Sequence, residues 1–333
     1  MLALPPSVRF LFIRPGGIGD AALLLPAINA VKKTFPGSSV VVLAEKRNAS
    51  VFSLSRDVDT VLQYDKPVDL WAALQGRYDV VIDTEQWHRL SAVAARLTRA
   101  PMSIGFATND RERLFTHPIL YSHYDHEIDS FMHLLRPLGE KTSADAETPL
   151  LLISAKLSEY IKRYLLPLAG KRLIAVFPGG SIKQKQWGKD NFRDTIKLLV
   201  QRGYGIVLVG GKDDTLLAEE IAGSLPSVVN VCGKLSLDET AAMIKETFLL
   251  VSGDSGIMHI ASALGIRVLA LFGPSNSTKW APWLERSAII SHQISCSPCS
   301  RFGYTPMCKY DLTCMKRITV NEVVEQALSL LER

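Results

Sequence analysis

The stretch FLLVSGDSGIMHIASALGIRVLALF, residues 248–272, decides the fold class. The apolar run Phe248–Ser252 predicts a strand, Ser255–Leu264 predicts a helix, and Arg267–Phe272 predicts a second strand. Neither strand alternates polar with apolar residues, which indicates parallel strands covered by helices on both faces. The polar turn between the first strand and the helix lies where folds of this class bind their ligands.

The same strand–helix–strand order opens the chain. Val8–Arg14 and Val40–Ala44 are apolar runs that predict strands, and the helical pattern of Asp20–Thr34 lies between them. Further short runs of valine and isoleucine follow, with a helix predicted near residues 90–98. A β-α-β-α order of this kind predicts a doubly wound sheet.

The alternation restarts in the second half of the chain, at the predicted strand Arg172–Phe177. We interpret the polar segment 140–152 as the linker between two Rossmann-like domains. Two such domains in tandem predict a cleft suited to a two-substrate reaction. The predicted division is into residues 1–150, residues 151–318 and a C-terminal helix within 319–333.

Composition limits the class of protein. Hydrophobic residues make up 47% of the 333 residues and charged residues 21%, which excludes a disordered chain. The net charge of +5 does not by itself indicate nucleic acid, and no nucleic-acid partner is expected. It suits an anionic substrate or transient contact with an anionic membrane surface. Because we find neither a signal-peptide pattern nor an apolar run of about 20 residues, we expect a cytoplasmic protein.

A glycine-rich turn, RPGGIGD at 14–20, joins the first predicted strand to the first helix. Gly17, Gly19 and Ala22 satisfy the G-x-G-x-x-A dinucleotide fingerprint, and Glu45 stands where the ribose-binding acid would be. An NAD-dependent oxidoreductase is therefore one hypothesis. Bound cofactor, or the absorbance of a reduced nicotinamide, would identify it.

Asp20 argues against NAD at this turn. A pyrophosphate binds the free N–H groups of a helix N-terminus, and a carboxylate in the same turn repels it. We interpret Asp20 as a carboxylate held by the helix dipole, ready to take a proton from an acceptor hydroxyl. The alternative is that Asp20 only caps the helix.

Two segments of the second domain fit a diphosphate. The first follows the strand Arg172–Phe177, where Gly179 and Gly180 let the backbone approach an anion. Ser181 can donate a hydrogen bond, and Lys185 can neutralise a leaving phosphate. The alternative for this lysine-rich loop is a solvated basic surface.

The second segment follows the predicted strand ending at Ser252. Ser255 and Gly256 would offer backbone N–H groups to a phosphate at the start of a helix. Asp254 could bind sugar hydroxyls or cap the helix, and His259, one turn further, has either a structural or a binding role. Each segment alone is a weak signal, but together they indicate a nucleotide-diphosphate site.

These segments together resemble the heptosyltransferase family, glycosyltransferase family nine. The resemblance rests on GGIGDAALLLPAINAVKKTFP at 16–36, PGGS and KQW in the second domain, GIVLVGGKDD at 205–214, and LLVSGDSGIMHIASALGIRVLALFGPSNSTKWAPW at 249–283. It spans nearly the whole chain. It implies a GT-B fold and transfer of heptose from ADP-heptose to the inner core of lipopolysaccharide, a lipid-linked saccharide acceptor.

The resemblance also implies roles for residues. The carboxylate of the Gly-Asp turn, here Asp20, would be the catalytic base, with Gly17 and Gly19 in the acceptor-side loop. Lys185 would contact the donor phosphates. The donor-binding segment would comprise Asp254, Ser255, Gly256 and His259. The family's reaction inverts the anomeric centre and needs no metal, so no cofactor is expected for catalysis.

Four cysteines are concentrated near the C-terminus, as Cys296, Cys299, Cys308 and Cys314. The first pair has zinc-knuckle spacing, and the four could supply a tetrahedral thiolate site for a structural zinc. The alternatives are reduced thiols or an adventitious disulfide. Cys232 stands alone and is expected to be a small buried residue.

Two questions stay open at this point. A non-catalytic, two-lobed sugar-binding protein is a further hypothesis, which saturable sugar binding without turnover would favour.

If the acceptor is lipid-linked, the enzyme must visit the inner face of the cytoplasmic membrane. The arginines that could meet anionic groups there, or simply be solvated, are Arg89, Arg96, Arg99, Arg111 and Arg113.

Overall fold

The structure is a computed structural model that describes residues 7–139, 149–292, 294–301 and 304–332. The chain divides into two compact units, Met1–Leu152 and Ile153–Arg333. Most of the predicted linker, residues 140–148, lies outside the described residues. No helix in the described part of the chain combines the length and apolarity needed to cross a bilayer.

The described residues of unit 1 form six strands and five α-helices. The strands are β1 (Arg9–Arg14), β2 (Ser39–Ala44), β3 (Thr60–Gln63), β4 (Val80–Asp83), β5 (Met102–Phe106) and β6 (His117–Ile119). The helices are α1 (Ile18–Thr34), α2 (Ala49–Ser53), α3 (Pro67–Gln75), α4 (Arg89–Leu97) and α5 (Glu127–His133). Short 3-10 turns lie at Glu112–Leu114 and Arg136–Leu138.

The unit 1 sheet is parallel throughout, in the order β3-β2-β1-β4-β5-β6. Its inner strands are buried on both faces, as their unbroken apolar runs predict. Helices α3 and α4 pack against one another and cover Leu11, Val41 and Val81. Helix α1 begins two residues earlier than predicted because Gly17, in extended conformation, is its N-cap.

Unit 2 repeats the architecture. Its strands are β7 (Leu173–Phe177), β8 (Gly205–Leu208), β9 (Val228–Asn230), β10 (Leu249–Gly253), β11 (Arg267–Phe272) and β12 (Ala288–Ser291). Its helices are α6 (Ala155–Leu165), α7 (Lys189–Gln201), α8 (Thr215–Ala222), α9 (Leu237–Lys245), α10 (Gly256–Ala263), α11 (Ser277–Trp280), α12 (Thr313–Lys316) and α13 (Val320–Glu332). Short 3-10 turns lie at Leu166–Leu168, Lys183–Lys185 and Lys212–Asp214.

Local signals explain several of these boundaries. Ser236 and Glu239 form the predicted capping box at the start of α9. Ser255 caps α10 by accepting the N–H of Met258. Trp187 fixes the loop before α7: its indole N–H donates to the Ile318 carbonyl, 2.9 Å away, and its ring meets Phe192 edge-on. The loop that carries Lys185 is therefore attached to the core of the unit.

Both sheets reverse their strand order at one point. The unit 2 order is β12-β11-β10-β7-β8-β9, so the reversal lies between β7 and β10, as it lies between β1 and β4 in unit 1. Doubly wound folds bind ligands beyond the carboxyl ends of the strands at such a point. The predicted α/β fold with two doubly wound sheets is confirmed, and it directs attention to the loops after these four strands.

Candidate active site

The turn after β1 is shaped around the Asp20 carboxylate. Gly16 has a φ of +107°, which favours glycine, and Gly17 faces the side chain of Asp20. A Cβ placed on Gly17 would lie 2.9 Å from Asp20 Oδ2, so a larger residue here would displace the carboxylate from its position over the first turn of α1. Gly19 is the second residue of α1. The predicted acceptor-side turn therefore holds a carboxylate at a helix N-terminus.

Arg14, the last residue of β1, ties this turn to the loop after β4. Its guanidinium is buried and donates to the Thr84 carbonyl at 2.6 Å and to Gln86 Oε1 at 3.2 Å. It also pairs with Glu85 at 3.3 Å. Burial alone would raise the pKa of Glu85, but Arg14 and the backbone N–H groups of the next turn outweigh burial and lower it.

The network continues toward Asp20. Gln86 donates to Glu127 Oε1 at 2.6 Å, and the Tyr121 hydroxyl donates to Glu127 Oε2 at 2.8 Å. Burial raises the pKa of Tyr121, and the nearby Glu127 and Asp20 carboxylates raise it further. Asp20 is thus within electrostatic reach of a buried, hydrogen-bonded set of polar side chains, an arrangement that can orient an acceptor sugar.

Arg111 corrects one expectation from the sequence. It was grouped with arginines that could meet an external anion, but it is fully buried and pairs with the fully buried Asp83 at 2.6 Å. It also donates to the Glu85 carbonyl. Arg111 therefore supports the loop after β4 and is not available to a surface ligand.

The Glu45 carboxylate is occupied by contacts within unit 1 and is not free to bind a ribose. The Tyr64 hydroxyl donates to Glu45 Oε1 at 2.7 Å, and Arg47 pairs with the other carboxylate oxygen. Burial, and next the hydrogen bond with Glu45, raise the pKa of Tyr64 to about 12. The side chain that the dinucleotide hypothesis required already has partners within unit 1.

In unit 2 the structure brings the two predicted donor segments together. Lys185 Nζ donates to Asp254 Oδ2 at 2.6 Å, and both side chains are mostly buried. A Cβ on Gly253 would lie 3.1 Å from the Lys185 carbonyl, so glycine permits this close approach of the two loops. Gln186 donates to the Gly180 carbonyl at 2.8 Å, which ties the glycine turn to the lysine.

The remaining predicted residues of unit 2 surround this pair in sequence. Gly179 is buried, Gly180 has a φ of +138° and Ser181 is exposed. Ser255 Oγ accepts the Met258 N–H and lies 2.9 Å from Ser252 Oγ. Gly256 is the first residue of α10, and the buried His259 stacks parallel to Trp283 at 6.4 Å between ring centroids. Their roles toward a ligand stay predictions.

The four C-terminal cysteines line one small cavity, together with Pro274. All are free thiols, and two backbone N–H groups donate to Cys308 Sγ, from Tyr310 at 3.4 Å and Leu312 at 3.3 Å. Within the described ranges, however, no three His, Cys, Asp or Glu side chains are arranged to hold a metal ion. The structural zinc at Cys296, Cys299, Cys308 and Cys314 therefore stays a prediction.

Sequence reasoning did not assign Arg14, Gln86, Tyr121 or Glu127 to the site. The sequence does offer a signal for Arg14, because a charged residue at the carboxyl end of a buried strand requires partners. Glu127 and Tyr121 carried none, since they follow β6 at the edge of the sheet and reach the site where α5 packs against α1.

Comparison with known proteins gives the family. Residues 68–307 match the model of glycosyltransferase family 9 (heptosyltransferase). The chain belongs to glycosyltransferase family 9. It is 28% identical over 293 residues to lipopolysaccharide heptosyltransferase 3 of Escherichia coli, covering 80% of this chain and 83% of that protein.

Solved structures agree on the fold. The structure of Escherichia coli ADP-heptose lipopolysaccharide heptosyltransferase II superposes with a TM-score of 0.81 at 21% identity, covering 97% of this chain and 98% of that one. Escherichia coli heptosyltransferase WaaC with ADP-2-deoxy-2-fluoro heptose gives 0.74 at 19% identity, covering 96% and 99%. The predicted family and the prediction of a glycosyl-transferring enzyme are confirmed, and they displace the oxidoreductase and sugar-binding hypotheses.

Proposed function

We propose that this chain transfers heptose from ADP-heptose to the inner core of lipopolysaccharide, with inversion and without a metal ion. The observation that carries the proposal is the Lys185–Asp254 pair, at 2.6 Å, directly before α10. Two relatives support the donor and acceptor by name: one is a lipopolysaccharide heptosyltransferase and one was solved with an ADP-heptose analogue.

The donor diphosphate is assigned to unit 2. An ammonium group has three N–H donors, so the bond from Lys185 to Asp254 leaves donors for phosphate oxygens. The first backbone N–H groups of α10 have no partner inside the helix and favour an anion. Positive groups fixed in this way stabilise the charge that develops on a departing nucleotide diphosphate. Asp254 holds Lys185 in place for this task.

Asp20 is assigned the role of general base. It takes the proton from an acceptor hydroxyl, whose oxygen attacks the anomeric carbon of heptose while the bond from that carbon to the phosphate oxygen breaks. The electron pair of that bond leaves with ADP, and attack from the opposite side inverts the anomeric centre. Lys185 and the start of α10 supply the positive charge at the leaving group, so EDTA should not slow the reaction.

The test compares Asp20→Asn with Asp129→Asn, a matched change at an exposed carboxylate of the same unit. We expect Asp20→Asn to lower kcat for ADP release by about 10²–10⁴-fold, while the thermal shift caused by ADP stays the same. Asp129→Asn should match the wild type. An Asp20→Asn enzyme within about threefold of wild type would exclude Asp20 as the base.

The donor itself is tested by thermal shift with ADP, UDP and GDP. Stabilisation by ADP and ADP-heptose supports the proposal, because a ligand stabilises the folded state that binds it. Stabilisation by UDP or GDP alone would identify the chain as a family member that uses another nucleotide sugar.

A further inference from the structure

Helix α4 exposes its large apolar residues. Leu90 is 72% exposed and Leu97 is 56% exposed, and Val93 lies exposed between them on the same face. The positions that face the core are small: Ser91, Ala92 and Ala95. A surface helix of a soluble domain ordinarily directs its large apolar residues inward. This helix has a second apolar stripe that faces outward.

Helix α3, which packs beside α4, also exposes large apolar residues. Trp71 is 65% exposed, Val68 is exposed one turn earlier, and only the small Ala73 of this helix is fully buried. We call Val68, Trp71, Leu90, Val93 and Leu97 the α3–α4 face. Clustered exposed apolar residues of this size mark an interaction surface, whereas isolated ones do not.

Basic residues border this face. Arg89 and Arg96 are two turns apart on α4 and form a row beside Leu90 and Leu97, while Arg99 follows the helix. Arg89 pairs with the exposed Asp110, and Arg96 and Arg99 are exposed. An apolar stripe with an adjacent row of arginines is the pattern of a helix that lies in the interface of an anionic bilayer.

The charge pattern and the position of the face both favour a membrane over a second copy of the chain. Self-association through this face would bring the arginines of two copies together, and like charges at an interface cost affinity. The face also adjoins the acceptor side of unit 1, because α4 begins three residues after Gln86, a member of the polar network near Asp20.

We propose that the α3–α4 face docks unit 1 on the surface of an anionic lipid bilayer, with its apolar residues among the headgroups and acyl boundary and its arginines on lipid phosphates. Docking of this kind would bring the saccharide of a membrane-embedded acceptor to the polar network of unit 1. Its benefit to catalysis rests on the proposed function, but the docking itself does not.

Vesicle co-sedimentation tests the proposal with the full chain and no substrate. We expect binding to vesicles of phosphatidylglycerol and phosphatidylethanolamine, weaker binding as salt rises, and little binding to pure phosphatidylcholine. The variant Leu90→Ser/Leu97→Ser should lower the partition coefficient at least about tenfold. The matched control is Leu166→Ser/Leu216→Ser, since these unit 2 leucines are 72% and 75% exposed; it should bind as the wild type does.

Tryptophan quenching gives a second readout that does not depend on the leucine variant folding. Anionic vesicles with brominated acyl chains should quench the wild-type fluorescence, and Trp71→Phe should remove a large part of that quenching. Equal quenching in both proteins, or wild-type protein that stays in the supernatant, would overturn the proposal. So would a dimer that Leu90→Ser/Leu97→Ser converts to a monomer, because the face would then be a self-association interface.

A transfer assay separates this proposal from the proposed function. With a soluble acceptor stripped of its acyl chains, Leu90→Ser/Leu97→Ser should keep the wild-type rate, whereas with acceptor in anionic vesicles it should be slower by about the loss in partitioning. Equal rates of wild type and variant on the vesicles would overturn the docking role. Absence of transfer by the wild type from ADP-heptose would count against the proposed function and leave vesicle binding to be judged separately.

Discussion

Replacing Arg111 by methionine should destabilise unit 1 by about 3–5 kcal/mol, because it leaves the Asp83 carboxylate buried without its partner. Both side chains are fully buried and lie 2.6 Å apart, so solvent does not screen the pair. Arg111 also lies over the Phe115 ring, 5.5 Å from its centre, and methionine keeps part of that packing. The expected loss therefore comes from the uncompensated charge and from the lost hydrogen bond to the Glu85 carbonyl.

The size of unit 1 allows this free energy to be expressed as a change in melting temperature. Residues 1–152 carry an unfolding entropy of about 0.3 kcal/mol/K at about 2.1 cal/mol/K per residue. A loss of about 3–5 kcal/mol then corresponds to about 9–16 °C in the Tm of this unit. An isolated surface substitution would move the Tm by about 1–2 °C.

Differential scanning calorimetry measures the effect, with Arg113→Met as the matched control because Arg113 is exposed two residues away. The double variant Asp83→Asn/Arg111→Met should recover part of the loss, since it removes the buried charge along with its partner. An Arg111→Met protein that melts within about 3 °C of the wild type would refute the reasoning, because the pair would then contribute no more than an exposed one.

Three further outcomes follow from the site. Lys185→Met should lower kcat/KM by about 10²–10³-fold and shrink the thermal shift with ADP, whereas Lys183→Met, at an exposed lysine two residues earlier, should change neither. Gly17→Ala keeps an allowed backbone, with φ −70°, but places a Cβ 2.9 Å from Asp20 Oδ2, so kcat should fall while the Tm is retained. The folded-state pKa of Glu85 is lowered from 4.5, so its stabilisation is present above pH 4.5 and is lost as pH falls through the folded pKa. Glu85→Gln should therefore lose less stability than the wild type on going from about pH 5 to about pH 3, as measured by urea midpoints; equal losses would contradict the assigned pairing.

The fold was predictable because its determinants are local. An unbroken apolar run such as RFLFIR marks a strand buried on both faces, and Ser236 with Glu239 marks the start of a helix. The partners within the sites were not predictable in the same way. Lys185 and Asp254 are 69 residues apart, and their contact depends on β7 lying beside β10 in the sheet.

The burial of charged residues is the other property that could not be predicted from the sequence. Arg111 and Arg113 lie two residues apart in the same polar segment, yet one is fully buried and the other exposed. What distinguishes them is Asp83, 28 residues earlier, at the end of β4. A charged side chain enters the core only where the tertiary structure supplies its counter-charge, so its burial follows from the pairing and not from composition.

One residue at a helix start explains why the two units, with the same strand order, would take different substrates. Helix α1 carries Asp20 as its third residue, and the carboxylate lies over Gly17 at the end of the helix that a phosphate would otherwise occupy. Helix α10 has Met258 at its third position, and a lysine lies 2.6 Å from the aspartate that precedes it. On the proposed assignment, the first helix start repels a phosphate and suits a neutral hydroxyl that must lose a proton, whereas the second, with Lys185 beside it, attracts a phosphate. Asp20→Met should therefore abolish turnover while the thermal shift with ADP, assigned to the start of α10, is retained; loss of both would contradict this division of roles.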